Sequence, residues 1–502
     1  MKILKYCSFL LLAIAFSVSY TSCIKDTGNY TYSEINRLEE ITNMPDTLTA
    51  FYGSQFKFSP DVKFNKDQNF DQSKYDYEWS YIGPNGLGGT KLFIFNENKD
   101  VDMIVTSIVA GTYQAYFSVT DKETGVKFRT PFRLIIKDEF NEGWIMMNEA
   151  NGKPRIDMLS LNSEGNAVLV LDLLSKVGSD LELKGKPEMI YNYPTGLLIG
   201  PDKISHGLYV GTDEMTTKIE PNTFKWTPTM GLQHEMFGEY PTGFYASIIK
   251  QKSTWSAYLI GKGDAYYYDR VMNIYFSAPI NYINEERVEF EVAPFVYAPT
   301  GVFYDITNRR FVKHTGAASS STVIPDPSDN KLFSFKTGMD LKYMKGVSFN
   351  GGEIFSILKS PNSDLYYLAR FNARSNAQTY YAEILNNDIK NAEFFEVNPE
   401  FGYIFYAVGG KLYQYDMIYK TTKLMIDIGN NRISYLRFYE FINTNKYKDG
   451  NKLMLGFYDP NISNGTEGRL NIYTVPGLNG DLVLNKSYSG FGRIKDLTYR
   501  ER

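Results

Sequence analysis

The sequence predicts an all-β protein in two parts, a β-sandwich followed by a β-propeller of seven blades. Three observations carry that expectation. Aromatic residues make up 16% of the chain, with 40 Tyr and 34 Phe, and such side chains favour the half-buried, pleated surface of a sheet. Short alternating strands bounded by polar turns recur from Leu48 onward. Helical periodicity is not sustained over more than three turns anywhere in the 502 residues.

The chain opens on an export leader, residues 1–22. Lys2 and Lys5 supply its positive start and Phe9–Phe16 its apolar core, the arrangement of a secretory signal peptide. That run is too short to persist as a membrane-spanning helix. Thr21 and Ser22 then precede Cys23, a pattern that resembles the lipobox of bacterial lipoproteins. The resemblance implies cleavage before Cys23, acylation of its thiol, and stable attachment, since such an anchor carries more than one acyl chain. Cys7 would leave with the leader, so the mature chain would hold one lipid-blocked cysteine and no disulfide. A plain secretory leader that ends near a cysteine is the alternative. Residues 23–45 follow as lipid anchor and polar tether.

Residues 46–138 are expected to form the sandwich. Tyr113, Ala115, Phe117 and Val119 alternate with polar residues, Asp121–Gly125 forms a turn, and Phe128–Ile136 returns. "YDYEWSYIG" places Tyr77 and Trp79 two apart on one strand. With the later "AGTYQAYFSVTD", it resembles the polycystic-kidney-disease (PKD) repeat, an immunoglobulin-like sandwich. More narrowly, Cys23 followed by "KDTGNYTY", this sandwich, and then "EGWIMMNEANGK" resemble the PKD-like lipoprotein family of Bacteroidetes. The resemblance runs the whole length, to "GFGRIKDLTYRER".

Residues 139–502 keep the aromatic, strand-rich character in quasi-repeats. Hairpins read at "WIMMNEANGKPRIDMLSL", "GLYVGTDEMTTKIEPNTFKW", "DAYYYDRVMNIYFSAP", "GVFYDITNRRFVKHTG", "DLYYLARFNARSNAQTYYAEI", "KLYQYDMIYKTTKLMIDIG" and "RLNIYTVPGLNGDLVLNKS". Their mean spacing of roughly fifty residues is the period of propeller blades. A lone four-stranded sheet cannot bury both faces, whereas radial stacking buries them and leaves few edges. Six or eight blades are the neighbouring counts, and two further sandwiches the alternative architecture.

The same residues limit the chemistry. A net charge of -4 and the absence of a polybasic stretch argue against a nucleic-acid partner. His206, His234 and His314 are the only histidines and show no metal-ligand spacing. "HExxH", "GxSxG" and "GxxxxGK[ST]" are absent, so no metal or cofactor is expected. Asp67, Asn69 and Asp71, and Asp326, Asp329 and Asn330, lack the Gly and distal Glu of a calcium loop. A glycosidase needs only two facing acids. Asp269, Asp305 and Asp416 follow strands, where they either approach the central channel or cap turn amides. Trp79 and Trp144 read as core. Trp226 and Trp255, in "NTFKWTPTMG" and "KSTWSAYLIG", are candidate ligand-binding rings, with a core role as the alternative. The polar insert Lys313–Lys331 is expected to project as a loop.

The family resemblance implies a non-enzymatic outer-membrane surface lipoprotein that faces the cell exterior and takes part in nutrient uptake. It would bind glycan or peptide, or serve as an accessory subunit beside a TonB-dependent barrel and its substrate-capturing lipoprotein. A surface glycoside hydrolase with channel carboxylates and a purely structural interaction subunit are the alternatives.

Overall fold

The computed structural model describes residues 35–501 except 53, 68, 85–88, 106, 109, 139, 141, 162–166, 198–203, 386–387 and 448–449. The leader, Cys7 and Cys23 therefore lie outside the described residues. The chain forms two compact units that divide between Lys137 and Asp138.

In the first unit a five-stranded sheet runs in the order Thr47–Tyr52, Lys127–Asp138, Gly111–Asp121, Tyr75–Pro84, Thr90–Asn96. Two short antiparallel ladders accompany it, Leu38–Ile41 with Val62–Phe64 and Gln55–Phe58 with Val101–Ile104. Phe56, Phe64 and Val101 from these ladders share one core with Trp79, Phe117 and Phe132 from the large sheet. Trp79 is fully buried, and its Nε1–H donates to the carbonyls of Asn98 at 3.0 Å and Lys99 at 3.1 Å. A buried indole needs such an acceptor, because an unpaired donor in the core forfeits its hydration. The tether expected through residue 45 ends earlier. Leu38–Ile41 is a strand of this unit, and Leu38, Ile41 and Met44 pack on its core. Its burial pattern does not alternate, so period 2 gave no sign of it.

The second unit is a succession of up-and-down antiparallel sheets in a propeller-like arrangement. Three-stranded sheets begin at Pro187–Pro194, Ile248–Ser253 and Val302–Asp305, and four-stranded sheets at Asp340–Val347, Phe394–Val397 and Arg432–Phe438. A further four-stranded sheet joins the two ends of the unit, in the order Ala167–Val170, Lys153–Leu161, Glu142–Ala150, Arg493–Arg500.

Period-2 geometry explains why the middle strands read as unbroken apolar runs. In Ser256–Gly261, Ala257 and Leu259 enter one core while Tyr258 and Ile260 enter the next. Ile404–Val408 does the same, with Ile404 and Tyr406 on one side and Phe405 and Ala407 on the other. Each such strand is buried on both faces. The series of cores closes on itself, because Trp144 and Met146 of the first sheet pack with Tyr435, Met454 and Leu470 of the last.

The insert Lys313–Lys331 is not a projecting loop. It contains the strand Ser321–Val323, which pairs with Arg310–His314. Ser321 donates to the Ile280 carbonyl at 2.8 Å, and Ile324 is buried. Its polar composition reflects hydrogen bonds to neighbouring strands as well as contact with solvent.

Candidate functional site

A cavity of about 790 Å³ is lined by residues of the strands Pro187–Pro194, Ile248–Ser253, Asp340–Val347, Phe394–Val397, Arg432–Phe438 and Arg493–Arg500, and of the segment 294–299 that precedes Val302–Asp305. Along Ile248–Ser253, Ile248, Lys250, Gln251 and Lys252 line the wall. Pairing with the next strand slips register in Pro187–Pro194, Ile248–Ser253, Asp340–Val347, Arg432–Phe438 and Arg493–Arg500. Bulges of this kind raise the local twist and re-aim side chains. One wall segment carries Pro294 and Pro299, which lack N–H donors. It meets Val302–Asp305 only through the isolated bridges Val292↔Asp305 and Tyr297↔Val302. Gly346 lets this segment approach: a Cβ there would lie 2.0 Å from the Tyr297 ring.

A network of charges crosses the cavity wall. Lys345 Nζ donates to Glu396 and, at 2.9 Å, to Glu440. Lys250 donates to the other oxygen of Glu440 at 2.6 Å. Glu396 also accepts from the Tyr343 hydroxyl at 3.0 Å and the Phe438 amide at 3.3 Å. Arg437 donates to Asp496 at 2.9 Å, and Asp496 in turn accepts from the Ile190 amide at 3.0 Å. Glu501 accepts from the amides of Ile442 at 2.5 Å and Asn443 at 2.8 Å.

These groups differ in their contact with water. The Glu396 side chain is 3% exposed, whereas that of Glu440 keeps 43% of its surface open to the cavity. Burial opposes ionisation of Glu440, yet Lys250, Lys345 and Arg437 outweigh it and hold the carboxyl well below 4.5. Burial likewise opposes the charged form of Lys345, and Glu396 and Glu440 reverse that to hold it above 10.5. Burial, reinforced by the Glu396 charge, pushes the Tyr343 phenol well above 10. Aromatic rings fill the wall between the charges. Phe441 lies 5.1 Å from Tyr447 and 5.2 Å from Tyr499, and Tyr439 lies 4.9 Å from Trp144.

The residues singled out from sequence fall elsewhere. Trp226 is half-buried and donates to the Thr217 hydroxyl at 2.7 Å. Trp255 is 45% exposed at the tip of a hairpin, its ring against Gly196. Trp226 lines a separate pocket to which Trp255 does not contribute, and neither lines the cavity. Asp269, Asp305 and Asp416 do not approach the cavity, which corrects the channel reading. Asp269 accepts from the amides of Val271 and Met272, Asp305 from that of Asn308, and Asp416 from those of Ile418 and Tyr419. An Asp that ends a strand lies within reach of the free amides of its own turn, and its short side chain bonds locally. His314 is buried, with Nδ1 3.0 Å from the Tyr258 hydroxyl and Nε2 2.7 Å from the Ala318 carbonyl. No group of three or more His, Cys, Asp or Glu fit to hold a metal occurs among the described residues. Trp79 and Trp144 are both buried.

The cavity strands escaped sequence reading because the repeat was taken from outer hairpins. Their signal was a charge two positions from an apolar or aromatic residue within a strand, as in Ile248-Lys250-Lys252 and Tyr435-Arg437-Tyr439.

The PKD-like family model matches residues 23–187, which span the first unit and enter the second. No curated protein matches the chain. Among solved structures, a quinonprotein alcohol dehydrogenase-like protein from Bacteroides thetaiotaomicron is 9% identical, with 93% of this chain and 100% of that chain covered and a TM-score of 0.43. A DUF4784 family protein from Bacteroides caccae is 8% identical, with 92% and 98% covered and a TM-score of 0.31. A Synechocystis apocarotenoid oxygenase is 10% identical, with 72% and 93% covered and a TM-score of 0.42. None of these likenesses bears on what the chain binds.

Proposed function

We propose that this chain, which carries a PKD-like family domain at its N-terminus, is a non-enzymatic, lipid-anchored protein of the outer membrane that binds a ligand in the cavity of a seven-bladed β-propeller. A count of seven is supported, among the described residues, by the six strands and the irregular segment before Val302–Asp305 that line the cavity. The ligand is a glycan or a peptide, and the chain acts at the cell surface alone or as an accessory subunit of a TonB-dependent importer.

The observation that carries this reading is the wall of the cavity, in which tyrosine and phenylalanine rings stand among charges most of which are paired within the protein. Rings offer flat apolar faces to C–H surfaces, and a few fixed polar groups set orientation. A volume of about 790 Å³ lies within the range of small-molecule sites.

Glu396 and Glu440, bridged by Lys345, are the carboxylate pair on which a hydrolase reading would rest. A glycosidase requires one of its two acids to be protonated at working pH. Both carboxylates are already bonded within the protein, Glu440 by Lys250 and Lys345 and Glu396 by Lys345, the Tyr343 hydroxyl and the Phe438 amide, so the geometry favours binding. Titration calorimetry with neutral and charged oligosaccharides and short peptides tests the proposal. A ligand whose affinity falls at least tenfold, about 1.4 kcal/mol, in Tyr439→Ala or Phe441→Ala supports it. Binding unchanged by both substitutions would refute the cavity as the site. Co-purification from outer membranes tests the importer association, and recovery without a barrel partner would count against it.

A further inference from the structure

Charged side chains that line the cavity are held by groups of opposite charge or, for Glu501, by backbone amides, and Lys252 differs in being held by a hydroxyl and two rings. Lys250 and Lys345 are paired with Glu440 and Glu396, Arg437 with Asp496, and Glu501 with two backbone amides. Lys252 lines the same wall, and no carboxylate lies within salt-bridge distance of it among the described residues. Its ammonium is 3.3 Å from the Tyr267 hydroxyl, and 4.8 and 5.8 Å from the ring centroids of Tyr267 and Tyr258.

Neither phenol supplies a counter-charge. Tyr267 donates its proton to Asp269 at 2.9 Å, so its oxygen accepts from Lys252. The Ala318 carbonyl can only accept, which puts the His314 proton on Nε2 and makes Nδ1 the acceptor for the Tyr258 hydroxyl. His314 itself is kept neutral by burial, with the Lys252 charge acting in the same direction. On the approach from the adjoining sheet stands Gly316, where a Cβ would lie 3.5 Å from the ammonium. The site is therefore a half-buried cation, seated on two rings, oriented by one phenol oxygen, and open to the cavity.

Lys252 meets the Asp269 charge only across the Tyr267 hydroxyl; a partly desolvated ammonium without a directly contacting counter-ion is unfavourable, and an anion placed beside it relieves that cost. Tight binding of a phosphate dianion usually recruits several donors, such as a guanidinium fork or a nest of amides. Lys252 offers a single charge, and the charge of its neighbour Lys250 is already taken by Glu440. We infer that Lys252 anchors one carboxylate of the ligand that enters the cavity, which makes the ligand a carboxylated one: an oligosaccharide with a uronic acid, or a peptide held by its C-terminus. This rests on the cavity being the binding site.

The test is calorimetric titration of the full chain with trigalacturonic acid and its methyl ester, and with a tetrapeptide carrying a free or an amidated C-terminus. In one of the two pairs the acid should bind at least about tenfold more tightly than its neutral form. Lys252→Gln should remove that preference and Lys252→Arg retain it, and the pair that responds identifies the source of the carboxylate. A preference that survives Lys252→Gln, or equal binding of acid and neutral forms, overturns the anchor and leaves the cavity reading standing. Absence of binding by all four probes counts against the cavity reading itself. A readout independent of those probes is the NMR signal of ¹³C-methylated lysine side chains during titration with sodium acetate. The Lys252 signal should move and that of Lys250 should not; a static Lys252 signal overturns the anchor whatever the larger probes do.

Discussion

Replacing Glu396 with Gln should destabilise the second unit by about 2–3 kcal/mol. Glu396 is 3% exposed and Lys345 is 17% exposed. Losing one member of a buried ion pair costs roughly 3–5 kcal/mol, because the other charge is stranded. Two features lower the figure here. Lys345 keeps Glu440, which is 43% exposed to the cavity, and Gln retains one acceptor oxygen, enough for one of the two neutral donors, the Tyr343 hydroxyl or the Phe438 amide, that bond to different oxygens of Glu396. Lys345→Met should cost a similar amount by stranding Glu396. The double variant should be less destabilised than the sum of the two, by about 1.5–2 kcal/mol of coupling. Urea titration followed by tryptophan emission measures all four proteins, with Trp144 reporting through its contacts with Tyr439 and Tyr499. A coupling below about 0.5 kcal/mol, the level of solvent-exposed pairs, would refute the claim that this pair is held inside the protein.

Deleting residues 493–502 should abolish folding of the second unit. It removes the strand paired with Glu142–Ala150 and strips Ile494 and Leu497 from the closing core; loss of cooperative thermal unfolding checks this. Gly346→Ala should displace the Tyr297 ring, since the new Cβ would lie 2.0 Å from it. Probe affinities should fall with only a small change in urea midpoint, and unchanged affinities would show that the ring does not shape the site. Stability should also follow pH with a defined sign. His314 is held below 6.5 by burial, so its contribution is full above pH 6.5 and declines as pH falls below that value. Glu440 is held well below 4.5, so its contribution is full above 4.5 and declines as pH drops toward the folded value. Lys345 is held above 10.5 and Tyr343 well above 10, so their contributions persist below those values and are lost as pH rises past them. Urea midpoints from pH 3 to 11 test this, and His314→Asn should flatten the limb just below pH 6.5.

The outer hairpins were legible because each is a local object. "KLYQYDMIYKTTKLMIDIG" alternates with period 2 around a turn led by Asp416, and the structure pairs Lys411–Asp416 with Thr421–Asp427. Trp79 was legible as core for the same reason, as an aromatic in phase with Tyr77 and Tyr81 on one strand. The cavity strands were harder to read. Asp340–Val347 mixes Lys342 and Lys345 with Tyr343 and Met344, and its register slips between Leu341 and Tyr343, which breaks the alternation by which a strand is recognised. Trp226 and Trp255 attracted attention as large rings near strand ends. The cavity is furnished with rings from positions 439, 441 and 499, whose convergence depends on strands far apart in the chain.

By itself, then, the sequence determined the all-β class, the hairpin as repeating unit, and the turn chemistry that ends each strand. These follow from side-chain periodicity and turn preference, which act over a few residues. Only the tertiary structure decided that Arg493–Arg500 pairs with Glu142–Ala150, that Lys345 lies between Glu396 and Glu440, and that Lys252 rests on the Tyr267 hydroxyl with no carboxylate within salt-bridge distance among the described residues. Those outcomes depend on which strands are brought together when every sheet must bury both faces, a condition met across the whole unit and written in no single segment.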